Sequence, residues 1–146
     1  MDREINKRAK EDPVARRLTS VPGIGAIIAT AIVALAPPPE SFSKGRDFAA
    51  WVGLTPLQRS TGEKQKLGAT SKMGERTIRR LLIIGASAVV RQASARGAPK
   101  GSWLARMLAR KPRMLVTVAL ANKMARIVWA LLTSGEVYKA PIGAAA

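Results

Sequence analysis

The chain has 146 residues, of which 47% are hydrophobic, so it is long enough for one domain with a buried core. Lys and Arg number 25 against 9 Asp and Glu, and this net charge of +16 makes a polyanion the expected partner. Cys and His are both absent, which excludes disulfides, thiolate zinc sites, thiol nucleophiles and histidine bases.

The distribution of carboxylates argues against a metal-dependent active site in this chain, and the hydropathy pattern argues against a membrane-spanning protein. The nine acids are scattered singly or lie at helix starts, so we expect this chain to bind no catalytic metal and no other cofactor. The charged N-terminus has no apolar signal region, and Lys123 and Arg126 interrupt the apolar run from 114 to 132. The sequence therefore predicts a soluble, cytoplasmic protein that does not span a membrane.

The first elements predict two helices joined by a tight turn. Residues 1–17 are rich in charge, which is typical of the end of an upstream helix or of a linker. A Pro-Gly-Ile-Gly turn follows, and an apolar helix then runs from about 25 until the proline run at 37. This pattern indicates a helix-hairpin-helix, whose backbone N–H groups would hold a DNA phosphate; an ordinary tight turn between packed helices is the alternative. The predicted backbone-binding residues are Val21, Gly23, Ile24 and Gly25.

The later elements predict an all-α bundle with one long irregular basic loop. A short helix around Phe48, which Ser43 could cap, is followed by a glycine-rich stretch without periodicity from 55 to 74. Helices are then predicted over 75–95, 103–110 and 112–134, with Gly135 ending the last one. Residues 139–146 are expected to fray. The core is expected around Trp51, Leu81–Ile84 and Trp129.

The basic loop combines hydroxyl groups with positive charge. Ser60, Thr61 and Ser71 lie among cations, and three arginines occupy the first turns of the next helix, where positive charge opposes the helix dipole unless an anion is near. Such a loop either binds phosphate or presents a nucleophile, and without His the base would be a lysine, a carboxylate or a group from another domain. The cations expected to face the phosphate are Arg59, Lys64, Lys72, Arg76, Arg79 and Arg80.

Four blocks occur in a fixed order along the chain: VPGIG, FAAWVGLTP, QRSTGEKQKLGATSKMGERTIRRLL and VALANKMARIVWALL. In this order and spacing, residues 18–138 closely resemble the C-terminal domain of the insertion-sequence transposases of the one-ten/one-sixteen family. The resemblance implies DNA transposition and recombination through a phosphoserine intermediate. The serine motif of the family falls on Ser60, with Ser71 and Thr61 as runners-up.

The resemblance also implies partners and a second domain. DNA, a structured guide RNA and further protomers of the same transposase are the expected partners, in a prokaryotic cytoplasm at the nucleoid. A RuvC-like N-terminal domain of the family carries the acidic metal ligands, and this sequence does not contain it, so strand transfer by this chain alone is not expected. Two alternatives remain: a non-catalytic helix-hairpin-helix module that binds DNA or guide-RNA backbone, and a basic RNA-binding or ribosome-associated protein.

Overall fold

Helices form nearly all of the regular structure in the computed structural model, which describes residues 2–54 and 72–139. No strand occurs within those two ranges, so the predicted all-α class is confirmed. A short 3₁₀ turn, Pro39–Ser41, lies between the third and fourth α-helices. The α-helices in chain order are α1 Asp2–Glu11, α2 Pro13–Leu18, α3 Ala26–Leu35, α4 Gly45–Trp51, α5 Lys72–Arg96, α6 Trp103–Arg110 and α7 Arg113–Ser134.

Capping residues fix several helix ends. The Asp12 carboxylate accepts the N–H groups of Val14 at 2.8 Å and Ala15 at 3.2 Å, so the charged N-terminal segment forms two helices rather than one. The Ser102 hydroxyl caps α6 in the same way. Gly135 adopts φ +76° and ends α7, as the sequence predicts.

The residue that precedes α4 is not the expected cap. Lys44 occupies the N-cap position and makes no side-chain cap hydrogen bond. The Ser43 hydroxyl instead donates to the Asp47 carboxylate at 2.8 Å. Ser43 therefore links to the first turn of α4 from outside the helix, and its predicted capping role is wrong.

The core lies where α7 packs against α4 and α5. Phe42, Phe48 and Trp51 form an aromatic cluster with ring centroids 5.5–6.1 Å apart beside α7. The Trp129 indole N–H donates to the Pro39 carbonyl at 3.1 Å, which fixes the 3₁₀ turn on α7. Trp51 and Trp129 thus contribute to the core as predicted.

The prediction that Leu81–Ile84 of α5 lies in the core is wrong for Ile84. Leu82 is fully buried, and Leu81 and Ile83 pack partly against the core, but Ile84 is 55% exposed. The buried face of α5 repeats every four residues, through Ile78, Leu82 and the alanine at 86. Ile84 lies on the opposite side, and a continuous apolar run does not reveal which face is buried.

By length and composition alone, α7 could cross a membrane, and it is the only such helix in the described ranges. Seven of its residues are nevertheless buried against other helices of the domain. Lys123 and Arg126 also lie within it. This arrangement is typical of the central helix of a globular domain.

Candidate nucleic-acid interface

The turn between α2 and α3 is anchored by its apolar residues. The N–H of Val21 donates to the Leu18 carbonyl at 3.1 Å, and the N–H of Ile24 donates to the Val21 carbonyl at 3.0 Å. Val21, Ile24 and Ile28 are all buried. The structure therefore has two helices joined by a tight turn at this position, while the helix-hairpin-helix assignment and its role in binding phosphate stay predictions.

Two glycines let the hairpin touch α5 backbone to backbone. Gly23 has φ +90°, a conformation that suits glycine. A Cβ built on Gly85 of α5 would lie only 2.2 Å from the Gly23 carbonyl oxygen. A Cβ built on Gly23 would meet Val89 and the methyl group of Met124 at 3.0–3.1 Å. Gly23 thus positions the hairpin against α5 and α7.

The C-terminal segment also reaches the hairpin. The backbone N–H of Tyr138 donates to the Ser20 hydroxyl oxygen at 2.9 Å, and that hydroxyl donates to the Arg17 carbonyl. The Tyr138 side chain packs partly against the core. The turn is consequently held by residues from α5, from α7 and from the segment that follows α7.

Gly25 opens the N-terminus of α3 towards solvent. It is the exposed N-cap residue, with extended backbone and no side-chain cap, and a Cβ there would meet nothing within 4 Å. Its carbonyl accepts the N–H of Ala29, but the N–H groups of residues 25–28 have no acceptor within the described part of the chain. Unpaired N–H groups at the positive end of a helix dipole form a binding site for an anion.

A basic groove borders the hairpin. It has a volume of about 570 Å³, begins at Gly23 and is lined along α5 by Arg91, Gln92 and Arg96. Both arginines are exposed. Neither arginine was predicted as a site residue, because their side chains come beside the hairpin only when α5 packs on Gly23. Arg91 and Arg96 are five residues apart, a spacing that does not mark one face of a helix, so no sequence pattern pointed to this pair.

The predicted serine loop begins between α5 and α7. Gly53 has φ +79°, and the Arg79 guanidinium covers it so closely that a Cβ there would lie 2.6 Å from Nη1. The Asn122 amide of α7 donates to the Leu54 carbonyl at 3.1 Å. Arg79 also approaches Glu75 at 3.9 Å. The segment that leads into the loop is thus fixed beside the N-terminal part of α5, where the loop ends.

The structure describes four of the cations predicted to face the phosphate and none of the predicted nucleophiles. Arg76 and Arg80 are exposed in the N-terminal part of α5, and Arg79 is half-buried over Gly53. Lys72 begins α5, and its side chain is not described. The remaining predicted residues lie outside the described ranges: Arg59, Ser60, Thr61, Lys64 and Ser71.

Net positive charge is concentrated in the second half of the chain, because most of the acidic residues lie in the first half. Residues 76–135 contain twelve Lys and Arg and no Asp or Glu. Among the described residues, the ion pairs are Arg8 with Glu4 and Arg79 with Glu75. Nor do the described residues contain a group of three or more acidic side chains that could hold a metal ion. Most of the positive charge of α5–α7 therefore has no counter-charge within this part of the protein.

Removal of the Asn122 amide is expected to loosen the start of the loop. Asn122→Ala leaves the carbonyl of the buried Leu54 without its donor, so we expect the free energy of unfolding to fall by about 1–2 kcal/mol. Urea denaturation would measure this loss. Thr133→Ala, at the exposed end of the same helix, is the control and should change stability by less than about 0.5 kcal/mol. Equal stability of both variants would contradict the tethering role.

Comparison with known proteins connects this geometry to a family. The sequence model of the transposase family IS116/IS110/IS902 matches residues 15–100, which include the hairpin, the loop and α5. A protein of Sinorhizobium fredii named as a transposase is 42% identical over 99% of this chain and 38% of its own length. Transposases for insertion sequence elements of Coxiella burnetii and Yersinia enterocolitica are 37% and 36% identical over 94% of this chain, and 38% and 41% of their own lengths.

The chain spans about two fifths of the length of these curated relatives. The match of the family model nevertheless covers more than half of the chain and includes the turn, the groove and both ends of the loop. The chain therefore belongs to the IS116/IS110/IS902 family of insertion-sequence transposases, as its sequence motifs indicate.

Proposed function

We propose that this chain is the DNA-handling part of an insertion-sequence transposase and that its hairpin holds the sugar–phosphate backbone of DNA. The observation that carries the proposal is the open N-terminus of α3, where four successive N–H groups have no acceptor in the described structure. A phosphate oxygen is a suitable acceptor for such groups.

The groove extends this contact along the DNA. A strand whose phosphate sits at Gly25 passes the mouth of the groove, where Arg91 and Arg96 contribute two further positive charges. Contacts to phosphates fix the position of a protein on DNA but do not read its sequence. Binding should therefore be independent of sequence and should weaken steeply as salt rises.

For catalysis, we propose that Ser60 is the nucleophile. Its hydroxyl oxygen would attack phosphorus, the bond from phosphorus to one DNA oxygen would break, and that oxygen would leave as a hydroxyl carrying a proton. Arg76 and Arg80, exposed where the loop ends, are available to stabilise the negative charge that develops on the phosphate. The base that removes the serine proton would come from a lysine, a carboxylate or another domain.

The divalent metal expected for the family does not fit the described residues, because their carboxylates form no group able to hold it. We place its ligands in a different domain of the transposase and derive no step through it. We further propose that the assembled enzyme works in the cytoplasm as a homo-oligomer with a structured guide RNA.

Substitutions at Gly25 test the contact with phosphate. Asp or Asn at this N-cap position would accept the free N–H groups with its own oxygen and stabilise α3 by a few tenths of a kcal/mol. Gly25→Asp also adds a negative charge, so we expect about tenfold weaker binding to a random-sequence DNA duplex, roughly the effect of losing one charged hydrogen bond. Gly25→Asn should weaken binding less. Gly25→Ala leaves the N–H groups free and should bind like the wild type.

The measurement is a titration of each variant with the duplex at several salt concentrations. The order Ala, Asn, Asp from strongest to weakest binding, with all three variants folded at the temperature of the titration, supports the proposal. Equal binding by all three would contradict a phosphate contact at the hairpin. We avoid substituting Gly23, because its contacts with Gly85 and Met124 would couple binding to folding.

A further inference from the structure

A second group of cations lies where α6 meets α7. Lys123 of α7 places its ammonium group over the ring of Trp103, 4.5 Å from the ring centroid. Arg106 of α6 and Arg126 of α7 are both close enough to Lys123 to repel its charge. We refer to Arg106, Lys123 and Arg126 as the α6–α7 cation cluster.

The cluster has no negative partner in the described structure. No carboxylate there pairs with Arg106, Lys123 or Arg126. Partial burial, and then the nearby charges of Arg126 and Arg106, hold the pKa of Lys123 below its ordinary value. Two arginine charges beside a partly buried amine are unfavourable in the isolated chain, and a bound anion would relieve the repulsion.

The local structure orients these side chains. The Arg106 guanidinium donates to the Gly101 carbonyl at 2.6 Å, and the Ser102 hydroxyl caps α6 through the N–H of Ala105 at 3.1 Å. No side chain of α6 is fully buried. Trp103 is only partly buried and lies outside the core cluster, where it supports Lys123.

The cluster and the hairpin lie on different sides of α7. Met124 points towards Gly23, where a Cβ would lie 3.1 Å from its methyl group. With about 100° between successive helix residues, Lys123 lies about 100° and Arg126 about 160° around the helix from Met124. An anion at the cluster is consequently separated from one at Gly25 by the body of α7.

We propose that the α6–α7 cation cluster binds a phosphodiester group of a nucleic-acid strand, at a site separate from the hairpin. The proposal rests on the proposed function only in taking a nucleic acid as the source of the phosphate. Arg106 and Arg126 would donate hydrogen bonds to phosphate oxygens, while Lys123 supplies charge from its position on Trp103. The domain would then contact two separate stretches of backbone.

The first test uses inorganic pyrophosphate and the indole N–H resonances of the protein. We expect a saturable shift of the Trp103 signal and little change at Trp51, which lies in the core. Lys123→Gln should abolish the shift. Lys100→Gln removes an exposed charge just before α6 and is the matched control; it should leave the shift intact. A Trp103 signal that does not respond to pyrophosphate, or that responds equally in both variants, would overturn the site.

The second test identifies the source of the phosphate. Duplex DNA and an RNA hairpin are titrated separately against the wild type, Arg106→Gln and Lys100→Gln. With the nucleic acid that fills the site, Arg106→Gln should reduce affinity about tenfold and lower the salt slope by about one, while the control changes less. An effect with RNA alone assigns the site to RNA, and an effect with DNA alone assigns it to DNA.

The outcomes separate the two proposals. If Gly25→Asp weakens DNA binding but Arg106→Gln behaves like Lys100→Gln with both nucleic acids, the cluster proposal is wrong and the hairpin function stands. If Arg106→Gln weakens RNA binding while the Gly25 variants all bind DNA equally, the hairpin function is wrong and the cluster proposal stands. If pyrophosphate shifts the indole resonance of Trp103 but the affinity for neither nucleic acid depends on Arg106, the site binds an anion from another source. The proposal is then overturned.

Discussion

Ser60→Ala, introduced into a full-length transposase that contains this sequence, is expected to abolish recombination while DNA binding is retained. If Ser60 supplies the attacking oxygen, its loss leaves no group to form the bond to phosphorus, and the rate should fall by roughly 10³-fold or more. The assay joins a donor to a target DNA and quantifies the junction. Covalent protein–DNA adducts, measured in parallel, should disappear together with the product.

The runner-up hydroxyls provide the controls for this result. Thr61→Ala and Ser71→Ala remove neighbouring hydroxyl groups of the same loop, and both variants should retain recombination within about tenfold of the wild type if each merely supports the loop by one hydrogen bond. Full activity of the Ser60 variant would refute the serine mechanism. If Ser71→Ala alone abolishes the adduct, the nucleophile is Ser71. If all three variants still form the adduct and still bind DNA, the non-catalytic binding module is favoured.

Gly85→Ala should cause a large loss of stability. Alanine normally favours a helix over glycine by about 1 kcal/mol, so the substitution would stabilise α5 if space were available. Here the new Cβ would lie 2.2 Å from the Gly23 carbonyl oxygen and 3.2 Å from Ile28 Cδ1. Such overpacking costs about 3 kcal/mol or more when backbone must move, so the clash outweighs the gain in helix propensity.

Thermal and urea denaturation would measure the effect of Gly85→Ala. Gly25→Ala is the control: its Cβ meets open space, and the loss of a favourable N-cap residue should cost it no more than about 1 kcal/mol. Displacement of the hairpin from α5 should also reduce DNA binding at temperatures where the Gly85 variant is still folded. Wild-type stability of this variant would show that the hairpin and α5 are farther apart than the geometry indicates.

Local signals made several elements predictable from the sequence. The bounds of α6 and the end of α7 at Gly135 agree with the prediction because a capping serine, a proline and a glycine mark them. The break at Asp12 was missed, because a charge-rich segment without apolar periodicity gives little information about helix number. The exposure of Ile84 was missed because an unbroken apolar run conceals the buried face.

Features assembled from distant parts of the chain were beyond prediction. The contact of Gly23 with Gly85, the groove at Arg91 and the position of Lys123 over Trp103 depend on how α3, α5, α6 and α7 pack. The family motifs predict a hairpin and a serine loop, since each is continuous in sequence. It gave no information on cations that converge from different helices.

The hydrogen bond between Tyr138 and Ser20 has a consequence for synthesis of the protein. The turn precedes its supports in the sequence, since α5, Met124 and Tyr138 are all synthesised after it. Contacts between residues so distant in sequence form only after the later residue has been synthesised. A chain whose synthesis has not reached residue 138 would therefore lack the completed turn, and under the proposed function its contact with DNA phosphate would form only after that residue.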